Sequence, residues 1–151
     1  MIRFLVYTLV LIVLCALALS AYVRYAPTDP KDWNLPVASA EPATSGPCAQ
    51  KIKLVPNGAR ATCLLPGTPA EVLARLDAFA LATPRTRAIA TTDTLATWES
   101  RSKLMGFPDY VTVEVAAAPE GTRLDIFSRQ RFGGGDGGVN AARLKAWLSQ
   151  F

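Results

Sequence analysis

The sequence predicts an α+β protein that combines an N-terminal transmembrane helix with a two-layer domain, in which a four-stranded antiparallel meander is flanked by two helices. Three observations predict it: a long apolar run near the N-terminus, two segments with apolar residues at helical spacing, and four segments of alternating polarity between turns. We divide the chain into an anchor (1–25), a proline-rich tether and lead-in (26–65), and an α+β domain (66–151).

The apolar run extends from Phe4 to Val23 and contains no charged residue. A helix of about 20 residues rises about 30 Å, the thickness of a bilayer's hydrocarbon core. Tyr22 and Tyr25 flank its end, as aromatic residues do at a membrane interface. The alternative is a cleaved signal peptide, since residues 18–20 offer a small-residue cleavage site. Signal cores are shorter, at about 7–15 residues, so we favour the anchor.

The short N-terminal tail favours a cytoplasmic N-terminus and an exported domain. We therefore expect a single-pass protein of a bacterial inner membrane with its C-terminal domain in the periplasm. Its partners would be the lipid bilayer and a larger membrane protein complex. Cys48 and Cys63 would then lie in an oxidising compartment. They either form a disulfide that closes a loop of about 15 residues, worth about 3 kcal/mol, or remain two small unpaired hydrophobic residues.

Composition excludes several classes of function. The net charge is +4, and only about +2 remains after the anchor region, which is too little to indicate nucleic-acid binding. The chain has no histidine, so Ser-His-Asp and Cys-His relays and the common zinc sites are excluded. We expect no metal and no cofactor. Chemistry by carboxylates survives as a possibility.

The segment after the anchor is rich in proline. Residues 26–69 carry eight of the eleven prolines, which favours an extended tether and loosely structured lead-in. Ile52–Val55 and Ala61–Leu65 are short apolar pieces that fit strands. Trp33 stands isolated there, and either packing on the domain or a place in the membrane interface explains it.

A helix begins at Thr68, the N-cap, with Pro69 in the first helical position and Glu71 completing a capping box. Residues 83–84, Thr-Pro, end it. Its apolar residues recur at helical spacing: Leu73, Leu76, Phe79 and Ala80.

Four strands follow: Arg87–Thr92, Leu95–Ser102, Thr112–Ala117 and Arg123–Phe132. Pairing of the first two across a turn at 93–94 sets Ile89 opposite Trp98. Pairing of the last two across Glu120-Gly121 gives one apolar face and one polar face, as a half-buried antiparallel sheet requires. A final helix runs from Val139 to the end, with a core-facing stripe of Leu144, Trp147, Leu148 and Phe151.

Two segments, 100–109 and 128–143, can carry chemistry. The second contains a glycine-rich turn from strand into helix, whose backbone N–H groups can bind an anion. Arg129, Arg131 and Arg143 can clamp its phosphate or carboxylate.

A structural explanation of the same segment competes with the anion site. Asp136 or Asn140 caps the helix, and the arginines pair with nearby acids, Asp125, Glu114 or Asp109. We favour the structural explanation, because an acid inside the loop disfavours a bound anion. For the candidate acids in general, including Glu99, we expect solvated surface carboxylates.

The same segments resemble domain of unknown function family 1499. The resemblance is carried by Ser-Arg-Ser-Lys-Leu-Met-Gly-Phe-Pro-Asp from Ser100, Arg-Leu-Asp-Ile-Phe-Ser-Arg-Gln-Arg from Arg123 and Asp-Gly-Gly-Val-Asn-Ala-Ala-Arg from Asp136, and it covers about 66–151. Tyr110 stands where a second acid is expected. The resemblance implies an exported or membrane-tethered protein with no assigned reaction, and it implies ligand-binding positions at Arg101, Asp109, Ser128, Arg129, Arg131, Asp136, Asn140 and Arg143.

These observations together predict a membrane-anchored, non-catalytic binding or accessory-subunit domain that faces the periplasm. The first alternative is a binder of a small anionic ligand that uses the arginines and the glycine loop. The second alternative is a hydrolase-like enzyme that uses carboxylates. We assign no catalytic residue, because the usual catalytic partners are absent from the sequence.

Overall fold

The computed structural model describes all 151 residues. The helices are α1 (Ile2–Tyr25), α2 (Pro30–Trp33), α3 (Pro69–Ala82) and α4 (Val139–Leu148), and Cys48–Lys51 forms a 3-10 helix. The strands are β1 (Lys53–Val55), β2 (Gly58–Leu65), β3 (Thr86–Thr91), β4 (Leu95–Arg101), β5 (Pro108–Ala118) and β6 (Gly121–Gln130). The α+β class with an N-terminal apolar helix and an antiparallel sheet is confirmed.

Helix α1 has 24 residues and is long and apolar enough to cross a membrane; a signal sequence would pass the same test. Most side chains of its apolar stretch are exposed rather than packed on the rest of the chain, and only Val23, near the end of the helix, is buried. Arg24 is the basic residue of the last turn, where a cation interacts favourably with the helix dipole.

The sheet has six strands in the order β1-β2-β6-β5-β4-β3, with every neighbouring pair antiparallel. The prediction of four strands is wrong, because the β1–β2 hairpin adds to the free edge of β6. In β2, Ala59 lies opposite Ser128 and Ala61 lies opposite Ile126. The surrounding prolines and small residues of this segment concealed the strands, although the two short apolar pieces do form β1 and part of β2.

Register is predicted well for one hairpin and poorly for the other. Between β5 and β6, Val113 lies opposite Ile126, as the alternation of polarity indicates. Between β3 and β4, Ala88 rather than Ile89 lies opposite Trp98, because the register shifts between Ala88 and Ala90. An extra residue of this kind is a β-bulge, which alternation cannot reveal.

The turn between β5 and β6 also differs from the prediction. Ala118 pairs with Gly121, so Pro119 and Glu120 form the turn. Gly121 has φ +129°, and a Cβ there would lie 2.2 Å from the carbonyl oxygen of Leu65. Only glycine permits both this conformation and this close approach.

One face of the sheet is covered by α3 and α4. Helix α3 begins with the predicted capping box, in which Thr68 N–H donates to Glu71 Oε2 at 2.7 Å. The indoles of Trp98 and Trp147 meet edge to face at 5.8 Å, and both are nearly fully buried. Trp98 Nε1 donates to Asp77 at 2.8 Å, so the largest core side chain leaves no polar group unpaired.

The other face is covered by residues 26–44, which we call the strap. We predicted an extended tether and a loosely structured lead-in here, and the structure shows that the strap lies on the sheet and that its backbone bonds to the polar face. Val37 N–H and Ala38 N–H both donate to Glu114 Oε2 at 2.8 Å, and Ser39 N–H donates to Asp125 at 3.2 Å. The polar face is therefore buried rather than solvated, and the domain has three layers instead of two.

A disulfide joins Cys48, in the 3-10 helix, to Cys63 in β2, with 5.6 Å between the Cα atoms. Both residues are fully buried in the core on the helix-covered face. Of the two alternatives for these cysteines, the structure has the bonded one. The bond ties the lead-in to the sheet close to the end of the strap.

Candidate functional site

The eight candidate residues do not form one site. The structure divides them between the two faces of the sheet, because neighbouring residues of a strand point to opposite faces. Five lie on the helix-covered side: Asp109, Ser128, Asp136, Asn140 and Arg143. Three lie on the strap-covered side: Arg101, Arg129 and Arg131.

The helix-side cluster is closed around Arg143. Its guanidinium donates to Asp109 Oδ2 at 2.9 Å, to Asn140 Oδ1 at 2.6 Å and to Ser128 Oγ at 3.1 Å. Ser128 Oγ in turn donates to Asn140 Oδ1 at 2.5 Å. Only 11% of the Arg143 side chain is exposed, so its charge is compensated by Asp109 inside the protein and is not presented to solvent. Asn140 Nδ2 is the one buried side-chain polar atom without a partner.

Asp136 caps α4 from two residues before its N-cap. Its carboxylate accepts from Gly138 N–H at 2.9 Å and from Asn140 N–H at 2.7 Å. Burial raises the pKa of Asp136, but these amide donors together outweigh it, and the net pKa is lowered. The acid thus occupies the amides that an anion would use, as the structural explanation of the glycine loop requires.

A pocket of about 320 Å³ opens beside this cluster and is lined by Asp109 and Asp136. Burial raises the pKa of Asp109, and this effect exceeds the opposing attraction of Arg143. The pocket therefore presents carboxyl oxygens, while the cation beside it is already paired. That chemistry suits a hydrogen-bond donor better than an anion. No three Asp, Glu, Cys or His side chains are grouped to hold a metal ion.

The strap-side arginines bond to backbone carbonyls. Arg129 donates to Trp33 O at 2.6 Å and to Thr112 Oγ1 at 3.1 Å. Arg131 donates to Pro27 O at 2.7 Å. Burial, followed by the nearby charge of Arg60, lowers the pKa of Arg129. Because Arg143 lies on the other side of the sheet, the three arginines do not form one clamp.

Glu99 is central to the strap side, and the expectation of a solvated surface carboxylate is wrong for it. Its side chain is 0% exposed. It accepts from Arg87 Nε and Arg101 at 2.6 Å each and from Thr28 Oγ1 at 3.0 Å. A sequence signal was present, because Glu99 and Arg101 alternate along β4 and must share a face.

Of the two alternatives for Trp33, the structure has packing on the domain. Its ring stacks on Tyr110 with centroids 3.7 Å apart. The Tyr110 hydroxyl lies 2.9 Å from Thr28 Oγ1 and accepts from Arg131 at 3.3 Å. Tyr110, which stands where a second acid was expected, is therefore a buried contact for the strap rather than part of an acidic pair.

Residues 28–151 match the model of a family described as Protein of unknown function (DUF1499). The chain belongs to this family. The resemblance noted from the sequence is confirmed, and the match begins about 38 residues earlier than the 66–151 we identified, so this DUF1499 chain shares most of the strap and the first hairpin with its family. No curated protein and no solved structure matches the chain.

Proposed function

We propose that this DUF1499 protein is a membrane-anchored, non-catalytic binding domain that serves as an accessory subunit of a larger membrane assembly. The attachment of α1 to the domain carries the proposal. Arg101 donates to the carbonyls of Val23 at 3.3 Å, Arg24 at 2.7 Å and Ala26 at 3.4 Å. The last carbonyls of a helix lack partners within it, so an arginine there satisfies them and complements the dipole.

Aromatic contacts support the same attachment. The ring of Tyr22 meets Phe132 edge to face at 6.2 Å, and Phe132 lies 6.3 Å from Phe107. The domain is thus packed against the end of α1 instead of hanging from a flexible linker. A domain held in this way presents a constant surface to a neighbouring protein in the same membrane, which an accessory subunit needs.

The closed polar clusters favour binding over catalysis. A nucleophile needs an adjacent base, and the hydroxyl of Ser128 is buried between Asn140 and Arg143, neither of which accepts a proton at neutral pH. The buried carboxylate of Glu99 is held between two arginines. These groups fix structure, and the exposed surfaces of the domain remain for a partner.

We place the N-terminus in the cytoplasm and the domain in the periplasm of a bacterial inner membrane. The Cys48–Cys63 disulfide supports this orientation, since disulfides persist in oxidising compartments. Protease added to spheroplasts should digest the domain; protection of the domain would contradict the orientation.

Affinity isolation of the intact protein from membranes in a mild detergent tests the proposed role. We expect a reproducible set of membrane proteins to accompany the wild type in mass spectrometry. Migration as a lone monomer would contradict the accessory role. The intact mass reports in the same experiment whether α1 is retained, and a chain that has lost it contradicts the anchor.

A matched variant identifies the surface that binds. Residues 2–21 are replaced by an unrelated apolar helix of equal length, while Tyr22–Tyr25 and Arg101 are kept so that the attachment survives. If the partners are lost, α1 recognises them within the membrane. If they are retained, the exported domain supplies the binding surface.

A further inference from the structure

A pocket of about 340 Å³ opens beside the last turn of α1. No hydrophobic residue lines it, and Glu99 is its single acid. Because five cations and one acid line the pocket, the lining carries an excess of four positive charges, which equals the net charge of the whole chain. Five of the nine lining residues are cations: Arg24, Arg85, Arg87, Arg101 and Lys103.

The acid does not neutralise this pocket. The carboxylate of Glu99 is fully buried and already receives bonds from Arg87, Arg101 and Thr28. Arg87 uses only its Nε in that pair, and 63% of its side chain stays exposed. Arg85 likewise uses Nε, which donates to the Arg101 carbonyl at 3.1 Å. The terminal nitrogens of these guanidiniums face no acid other than Glu99 within the pocket.

The backbone around the pocket is specialised. Arg85 has φ +60° and is the only residue other than glycine with a positive φ. A long side chain rarely adopts this conformation, and such outliers concentrate at functional positions. Gly106 also lines the pocket, and a Cβ there would lie 3.3 Å from Arg24 Nε, so glycine lets Arg24 pack against this loop.

The pocket lies at the end of the apolar helix. Tyr22 and Tyr25 are exposed in the final turns of α1, as residues of a membrane interface are. The guanidinium of Arg24 donates to the carbonyl of Leu104, whose side chain is 84% exposed next to Lys103. An exposed leucine between cations and interfacial tyrosines is typical of a loop that touches lipid. This placement depends on the membrane anchoring proposed above.

We propose that this pocket binds the phosphate of an anionic phospholipid headgroup, such as that of phosphatidylglycerol. A guanidinium offers paired N–H donors that match two phosphate oxygens, and Arg85 and Arg87 contribute two such groups to the pocket lining. Arg24 and Lys103 add charge from the membrane side. A headgroup seated here would fix the height and rotation of the domain relative to the bilayer.

Native mass spectrometry of the full-length protein in a nonionic detergent tests the proposal, with phosphatidylglycerol and phosphatidylcholine as probes. The wild type should retain phosphatidylglycerol in preference to phosphatidylcholine. The Arg85→Gln/Lys103→Gln double variant should bind it about 25-fold more weakly, since each basic residue near an anionic surface contributes about fivefold. The matched control, Lys53→Gln/Lys145→Gln, removes the same charge from two exposed lysines, one of them in β1 at the opposite edge of the sheet, and should change binding by less than about threefold.

Three results would overturn the proposal: equal retention of both lipids, equal weakening in both double variants, or inorganic phosphate raising the Tm of the wild type as much as phosphatidylglycerol does. The last result would assign the pocket to a soluble phosphate. An unchanged Tm of the lipid-free variants shows that they fold. If no protein partner accompanies the wild type in the affinity isolation, the accessory role is contradicted but lipid binding is not. If the intact mass shows that the chain has lost α1, both proposals are contradicted.

Discussion

The two faces of the sheet are covered by different kinds of structure. On one face, α3 and α4 contribute apolar side chains such as Leu76 and Leu144 to the core that contains Trp98. On the other, the strap contributes mostly its own carbonyls and N–H groups to side chains such as Arg129 and Glu114. The first cover rests on the hydrophobic effect, which is not directional, and the second rests on hydrogen bonds that each need one geometry.

This difference predicts two modes of failure. Loss of apolar contacts on the helix side removes energy that the whole sheet shares, so it should lower the stability of the domain as a unit. Loss of a strap contact should open a segment that has few apolar anchors, while the sheet and helices stay folded. The predictions below test that contrast, from the largest expected effect to the smallest.

Trp98→Ala should have the largest effect. It removes a fully buried indole that packs on Trp147 and donates to Asp77, so the free energy of unfolding should fall by about 4 kcal/mol. Urea denaturation followed by circular dichroism measures it. Leu54→Ala, at a side chain that is 75% exposed, should change stability by less than about 0.5 kcal/mol. A similar loss in both variants would show that the helix-covered core is not the main source of stability.

Glu99→Gln should have the next largest effect and should lower the free energy that holds the strap on the sheet by about 3 kcal/mol. The substitution keeps the shape of the side chain but leaves Arg87 and Arg101 without their buried counter-charge. Because Arg101 also holds the end of α1, the strap and the helix should both loosen. Hydrogen exchange of residues 23–39 measures this, with Glu120→Gln at an exposed turn as the control. Unchanged exchange together with global destabilisation would mean that the strap does not depend on this ion pair.

The same contrast explains what sequence could predict. The apolar faces of β5 and β6 could be predicted, because apolar residues such as Val113 and Ile126 alternate with polar ones along each strand. The strap could not be predicted, because it binds the sheet through its own backbone groups, which every residue carries, and its prolines conceal the pattern further. The division of the site could have been predicted, since Ser128 and Arg129 are adjacent in a strand and must face opposite sides. The bulge at Ile89 left no signal in the pattern.

Trp33→Ala should have a smaller and local effect. The indole is the main aromatic anchor of the strap and stacks on Tyr110 at 3.7 Å. Its loss should lower the free energy that holds the strap on the sheet by about 1–2 kcal/mol and raise the rate of proteolysis within 26–44. The unfolding transition of the domain as a whole should not change. Leu35→Ala, in the same segment and 49% exposed, should leave proteolysis nearly unchanged. A lowered global transition in Trp33→Ala would remove the distinction between the two faces.

The smallest effects should be the pH dependences of the two carboxylates at the polar end of the helix-covered face. The pKa of Asp109 is raised, so its contribution to stability is present at low pH and is lost as pH rises from the usual value of 3.8 through its folded value. The pKa of Asp136 is lowered, so its contribution is present above 3.8 and is lost as pH falls through its folded value.

Tm measured between about pH 3 and 7 should therefore respond with opposite signs. Relative to wild type, Asp109→Asn should gain stability as pH rises, because the substitution removes a carboxylate that is costly to ionise in a buried place. Asp136→Asn should instead lose relative stability as pH rises, because it removes the charged acceptor of the amides that begin α4. A profile of Asp109→Asn parallel to that of Asp136→Asn would show that Arg143 more than compensates the burial of Asp109, and a flat relative profile would show that it compensates this burial fully. In that case the buried polar groups of the helix-covered face would be paired as completely as those of the strap-covered face. The contrast between the two faces would then hold only for their apolar residues.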